Sequence, residues 1–375
     1  MSTEQMTRNA IESIHLPDPI LTEVKFNWSH GHSTPKLIHV HGGELGDTYW
    51  NPPPSNYQLT WMIRNEDFFC LRWCEPDFIR EHIQLNGQSY VGGYYLGSEC
   101  YIPAKNFMVP PELSQGYAFE RQWLYYMTWG RLLYNPETSD ETFISACQAR
   151  YGESGETLFK ALKLGSRMPL RLATFFKGNW DFSLYSEGFL SFYAEEESRG
   201  LITVNDLINR VPMDPDYLSI PEYVEQLNAS EPVPEGKISP LALADILISD
   251  GNQALGLMDK LSGNHSKAFE VELADAKAWA WLSKYFGNKL KASVALHSYR
   301  VNNVADDKQK AVDFMSKAAG NWDELVEVTT PVYSVMPLAQ IHRYQGLPKD
   351  DKRDFHWKLI QPLVHEEVMK AKQEE

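Results

Sequence analysis

The sequence predicts an α/β segment followed by an all-α one: a partial or complete (β/α) barrel segment over residues 1–114, then a C-terminal helical domain over 115–375. Three observations lead there. Stretches with strand character crowd the first part of the chain, two of them joined by a helical stretch of the length a parallel crossover uses. From Gln115 onward apolar residues recur at helical spacing instead. A chain of 375 residues also exceeds the roughly 250–300 residues that one core accommodates, so two parts are expected.

The elements follow in order. TEQMTRNAIESI (3–14) predicts a short helix capped by Thr3 and stopped by the prolines of LPDP (16–19). EVKFNWSH (23–30) alternates apolar and polar residues, KLIHVH (36–41) ends at Gly42-Gly43, YQLTWMIRNED (57–67) alternates again, and FFCLRW (68–73) and YVGGYYLGSE (90–99) complete a set of five strands. Between the last two, EPDFIREHIQLNG predicts a helix that starts at Pro76 and stops at Gly87, which makes the flanking strands parallel. Helices are then expected over 118–134, 139–152 with Ser139 at its cap, and 156–176. A Pro-rich linker around 209–235 leads into three bundle helices, from SPLALADILISDGNQALGLMDKL, FEVELADAKAWAWLSKYFGNKLKASVALHSYR and KQKAVDFMSKAAGNWDELVEVT.

Bulk properties narrow the function. A formal net charge of -15 and scattered Lys and Arg argue against nucleic acid. No run of about 18 apolar residues suggests a membrane span. The N-terminus MSTEQMTRNAIES lacks the order of a signal peptide, so the sequence as written predicts a cytoplasmic protein; a secreted or periplasmic one follows if the chain is a fragment. Cys70, Cys74, Cys100 and Cys147 read as free buried thiols, and the spacing of Cys70 and Cys74, with no second pair, makes no metal site. No cofactor is expected.

Period-two alternation assigns the faces of the strands. Leu59, Trp61 and Ile63 suit packing under helices, whereas Thr60, Met62, Arg64 and Glu66 share the other, inward side. Leu37, His39 and His41 share a face in their stretch, as do Gly93, Tyr95, Gly97 and Glu99 in theirs. Arg64, Glu66, His39, His41, Tyr95 and Glu99 therefore converge at the carboxyl ends of parallel strands, where α/β enzymes place their sites. Two carboxylates there permit acid and base work on a glycosidic bond, which makes Glu99, Glu66 and Asp67 the catalytic candidates. The alternative for the last two is an ion pair with Arg64 or Arg72. Trp28, Trp50 and Trp73 offer faces to a sugar, Arg64 and Arg72 suit a substrate carboxylate, and His30, His32, His39 and His41 suit hydroxyl groups. Asn27, Asn65 and Tyr95 complete the substrate-binding set.

A strand ending in GSE, the aromatic string WLYYMTWGRLLYNP and the later AKAWAWLSKYFGNKLKASVALHSY together resemble large barrel glycoside hydrolases of the alpha-glucuronidase type, families 67 and 115. That resemblance implies a catalytic barrel closed over by a helical domain, a carbohydrate substrate and polysaccharide degradation. No catalytic motif of either family maps onto the chain. A full barrel has eight strands, and five are counted here, so a missing N-terminal barrel half or a further copy of the chain is the expected partner. Two rival readings stay open: a polysaccharide lyase using Tyr95 or a His with Arg, and a non-catalytic carbohydrate-binding or structural remnant.

Overall fold

The computed structural model describes residues 3–15, 17–27, 31–38, 40, 47–64, 71–97, 109–113, 116–175, 187, 201–261, 266–337 and 354–374. Helix α1 (Thr3–Glu12) precedes three strands, β1 (Ile20–Lys25), β2 (Tyr57–Arg64) and β3 (Val91–Gly97), with α2 (Pro76–Asn86) between the last two. They form one parallel sheet in the order β1-β2-β3. The βα crossover is as expected, although the strand that enters it is β2.

The alternation in β2 decides which side is covered. Leu59, Trp61 and Ile63 are fully buried and Tyr57 nearly so, and in register with them stand Val24 of β1 and Tyr94 and Leu96 of β3. Trp61 fills the layer under α2 and donates its Nε1–H to the Asn86 carbonyl at 3.1 Å. Helix α2 begins at Pro76, with the Glu75 carboxylate accepting from the Phe78 amide at 2.5 Å, and turns Phe78, Ile79, His82 and Asn86 inward on one stripe. The opposite face of the sheet is more open: Leu21 is 61% exposed and Tyr95 39%, although Thr60 at its centre is buried. Parallel sheets are normally covered on both faces; this one, among the described residues, is covered on one.

Of two further expected strands, 36–41 and 68–73, the described residues form none. Residues 36–38 lie in no strand, and Val40 makes a single antiparallel bridge to Phe26. The chain turns away from β1 there because Asn27, at a left-handed φ of 47°, spends its amide on the loop: Nδ2 donates to the Lys36 carbonyl at 2.8 Å and Oδ1 accepts from the Ile38 amide at 2.8 Å. Residues 71–73 are also outside any strand, for a reason given below. Three strands rather than five thus make the sheet, and no barrel is closed by the described residues.

The rest is helical: a single 3₁₀ turn at Pro111–Leu113, then α3 (Ala118–Arg121), α4 (Trp123–Tyr134), α5 (Asp140–Tyr151), α6 (Ser154–Phe175), α7 (Val204–Asn209), α8 (Ile220–Ala229), α9 (Pro240–Met258), α10 (Lys267–Asn302), α11 (Ala305–Thr329) and α12 (Trp357–Gln373), with a two-residue antiparallel pair, β4 (Met336–Pro337) and β5 (Asp354–Phe355), before the last. The expected helix over 118–134 is broken at Gln122. The Pro-rich linker contains α8, which starts on a capping box of Ser219 and Glu222 with proline just inside. Helix α10 is the centre, burying Trp279, Tyr285, Phe286 and Leu290 completely. Gly165 of α6 lets that helix approach closely, since a Cβ there would meet Trp279 Cβ at 2.7 Å. One apolar cluster runs from Val24 through α10 to Ala371. No helix of the described residues is long and apolar enough to cross a membrane.

Candidate active site at the carboxyl ends of the strands

Because the three strands are parallel, their carboxyl ends, Lys25, Arg64 and Gly97, share one edge of the sheet, with Arg64 in register with Gly97. Of the residues the sequence assigned to this edge, Glu66, Asp67, Glu99, Trp28, His30, His39, His41 and Asn65 lie outside the described residues. The described part of the edge is the segment that returns from it, 71–75, and what holds that segment.

Each amide of residues 71–74 is taken by a side chain. Leu71 donates to Glu187 Oε1 at 2.6 Å, Arg72 to Asp275 Oδ2 at 3.0 Å, Trp73 to Gln122 Oε1 at 3.3 Å and Cys74 to Ser166 Oγ at 2.9 Å. The carbonyls of Leu71 and Arg72 accept from Gln122 Nε2 at 3.0 Å and Trp279 Nε1 at 2.7 Å. With all four amides and the first two carbonyls taken this way, residues 71–73, the described part of FFCLRW, have no amide left for a strand ladder.

Arg72 sits at the centre of this grip. Its guanidinium is buried and donates from Nη1 to Asp275 Oδ2 at 2.6 Å, with Glu272 Oε1 at 3.8 Å from Nε. Burial opposes its charge, but Asp275 and Glu272 more than reverse this and hold it firmly protonated. Tyr333 donates to the other oxygen of Asp275 at 2.6 Å. Glu272 in turn accepts from Trp123 Nε1 at 2.8 Å and from the Tyr151 hydroxyl. Burial pushes the Glu272 carboxyl up, with Arg72 and these donors pulling against it. The structure therefore commits Arg72 to an internal ion pair rather than to a ligand.

The other described candidates are also drawn inward. Trp73 is fully buried and donates from Nε1 to the Ser166 carbonyl at 2.9 Å. His32 is enclosed by the rings of Trp73, Tyr125 and Trp129. Asn27 organises the loop after β1, and Trp50 stacks on Tyr90 at 6.1 Å beside Trp61. Tyr95 alone among them is exposed, on the open face of the sheet in register with Met62.

Residues not assigned from the sequence complete the picture: Gln122, Glu272, Asp275 and Tyr333 in the grip, and Arg121. The last is 1% exposed, and among the described residues none of its three guanidinium nitrogens has a hydrogen-bond partner. The only sequence signal for the acids was a pair three apart on the apolar helix FEVELADAKAWAW. Cys74 and Cys147 are free and buried, and burial pushes the Cys147 thiol up to about 12. No group of three His, Cys, Asp or Glu side chains among the described residues could hold a metal ion.

A cleft of about 410 Å³ lies beside the start of α2, lined by Lys36, Glu75, Asp77, Arg167, Asp214 and Asp216 among others. Its carboxylates outnumber its cations, each cation named here holding two of them: Arg167 with Glu75 at 3.1 Å and Asp77 at 3.3 Å, Lys36 with Asp216 and, at 3.6 Å, Asp214, which also accepts from Thr34 at 2.7 Å. Such a cleft ties the loop after β1 to the helices around it.

Compared with known proteins, the chain matches no family and no curated protein. Among solved structures it is similar to a GH138 enzyme targeting pectin rhamnogalacturonan II, with a TM-score of 0.71 and 17% identity. The superposition covers 98% of this chain and 54% of that one, so the chain spans about half the length of the structure it resembles. The fold is thus shared with part of a glycoside hydrolase, while the likeness to families 67 and 115 in particular is not shown.

Proposed function

We propose that the chain is a glycoside hydrolase, or the C-terminal part of one, acting on a pectic polysaccharide by carboxylate acid and base chemistry. The observation that carries this is the fold, shared over nearly its whole length with a pectin-targeting enzyme. In this reading residues 1–114 supply the strand ends that bear Glu66, Asp67 and Glu99, and residues 115–375 form the cover. The one-sided burial of the sheet supports a barrel segment, since the inner wall of a barrel meets further strands rather than helices.

The test is turnover of rhamnogalacturonan II fragments and uronic-acid oligosaccharides by the full chain and by Glu99→Gln and Glu66→Gln. Loss of an acid or base of this kind lowers kcat by about 10²–10⁴-fold. Unchanged turnover in both variants sinks the assignment of those carboxylates. A second reading, a sugar-binding unit without chemistry of its own, is favoured by the coverage of only 54% of the related chain. Binding by calorimetry with no turnover on the same substrates selects it.

A further inference from the structure

The segment that returns from β2 is closed into a ring of side chains that reaches the last helix. The Leu71 amide donates to Glu187 Oε1 at 2.6 Å, and the Glu187 carbonyl accepts from Trp357 Nε1 at 3.0 Å. The Trp357 ring meets that of Tyr333 edge-on at 5.3 Å, and the Tyr333 hydroxyl donates to Asp275 Oδ1 at 2.6 Å. Asp275 Oδ2 then accepts from both the amide and the guanidinium of Arg72, at 3.0 and 2.6 Å, which brings the ring back to the residue after Leu71. Leu71, Glu187, Asp275 and Trp357 are fully buried, and Arg72 and Tyr333 nearly so. The return from β2, Glu187, α10, the stretch after α11 and the start of α12 all take part.

Stability alone does not call for such a ring. Two buried carboxylates and a guanidinium carry a desolvation cost that their pairing does little more than offset, and apolar residues of similar volume often hold a fold equally well. What a fully bonded buried network adds is a single geometry. Asp275 has one oxygen engaged by Tyr333 and the other by Arg72, so it cannot swing without breaking a contact, and it grips Arg72 by main chain and side chain at once. The segment fixed in this way lies between Arg64, at the carboxyl end of β2, and Pro76, where α2 starts. In parallel α/β sheets that edge carries the reacting groups. We propose that Glu187, Asp275, Tyr333 and Trp357 are positioning residues, which set the return from β2 in one conformation and thereby hold the site on the carboxyl edge in its working geometry. The inference rests on the hydrolase reading above for the reaction at that edge, and it adds that the start of α12, remote in sequence, governs it.

The experiment compares the full chain with Arg72→Met/Asp275→Leu, which makes the ion pair apolar, and with Tyr333→Phe, which removes one hydroxyl at nearly constant volume. Urea denaturation reads stability, amide NMR reads residues 71–74, and turnover of rhamnogalacturonan II fragments reads the site. The double variant is expected to be more stable than Asp275→Leu alone. It is nevertheless expected to split or broaden the amide resonances of residues 71–74 and to lower kcat by about 10²-fold, with KM changed by less than about twofold. Tyr333→Phe is expected to fold like the unsubstituted chain, to disturb the same resonances and to lower kcat by about tenfold. A ring that serves stability alone gives a different pattern, in which kcat returns as stability does. Unchanged amide resonances in both variants overturn the proposal, as does an unchanged kcat beside disturbed resonances. If the double variant does not fold, Tyr333→Phe decides by the same two readings. Absence of turnover by the unsubstituted chain retires the hydrolase reading, and the amide resonances then decide the positioning of the segment by themselves.

Discussion

The two faces of the three-stranded sheet differ in what secures them. On one, Leu59, Trp61 and Ile63 are buried on the side of α2, and residues 72–74 are gripped by side chains from the α3–α4 junction, α6 and α10. On the other, Leu21 and Tyr95 face solvent. On the covered face the apolar side chains of the sheet join the core, and on the other they are left more accessible.

That contrast sets an order of expected effects. Breaking the grip costs most: Arg72→Met or Asp275→Asn, each leaving a buried charge or its partner uncompensated, is expected to lower unfolding free energy by about 3–5 kcal/mol in urea denaturation, with Arg72→Met/Asp275→Leu recovering part of the loss. A loss under 1 kcal/mol for the single variants means that the helical part does not anchor the sheet. Leu59→Ala, on the covered face, is expected to cost about 2–5 kcal/mol.

A third effect is read in pH. His82 is fully buried, its ring 4.3 Å from that of Phe26, and burial depresses its pKa to about 3. The unfolded chain takes up that proton near pH 6.5, so this contribution to stability is complete above that pH and declines as pH falls toward 3, by at most about 1.4 kcal/mol per pH unit. His82→Gln is expected to flatten the fall between pH 6.5 and 5; an unaltered slope excludes His82 as its source. Smallest of all, Leu21→Ser and Tyr95→Ser on the open face are expected to change stability by no more than about 0.5 kcal/mol. A loss of several kcal/mol in either shows that this face is covered in solution.

How much of this could be read in the sequence depended on whether the signal was local. Helix α2 was legible from end to end, because proline at its start, the Glu75 cap and Gly87 at its close are all local features. The faces of β2 were legible from strict alternation. The described residues of KLIHVH and FFCLRW share that apolar character but lie in no strand, since Asn27 nearby in one case and Asp275, Gln122 and Ser166 from distant parts of the chain in the other take their hydrogen bonds. Pairing across about 200 residues leaves no periodicity to detect. For the same reason Arg72 looked like a ligand for substrate and Arg121 like one more helix residue. An arginine's role follows from the acceptors folding brings to it, and sequence spacing does not report them.

Helix α10 carries a consequence for how the molecule comes apart. Its 36 residues extend about 54 Å at the usual rise, and it is fastened at three levels: Asp275 to Arg72 near its start, Lys289 to Glu367 and the Ile202 carbonyl midway, Arg300 to Glu374 and Asn205 near its end. Amide hydrogens of residues 71–74 and of α12 are therefore expected to exchange with solvent when the corresponding level of this helix is released, and those of its buried middle turns last. The helix works as a spine with separately detachable ends, so the edge that bears the proposed site can loosen while the remainder of the bundle keeps its protons.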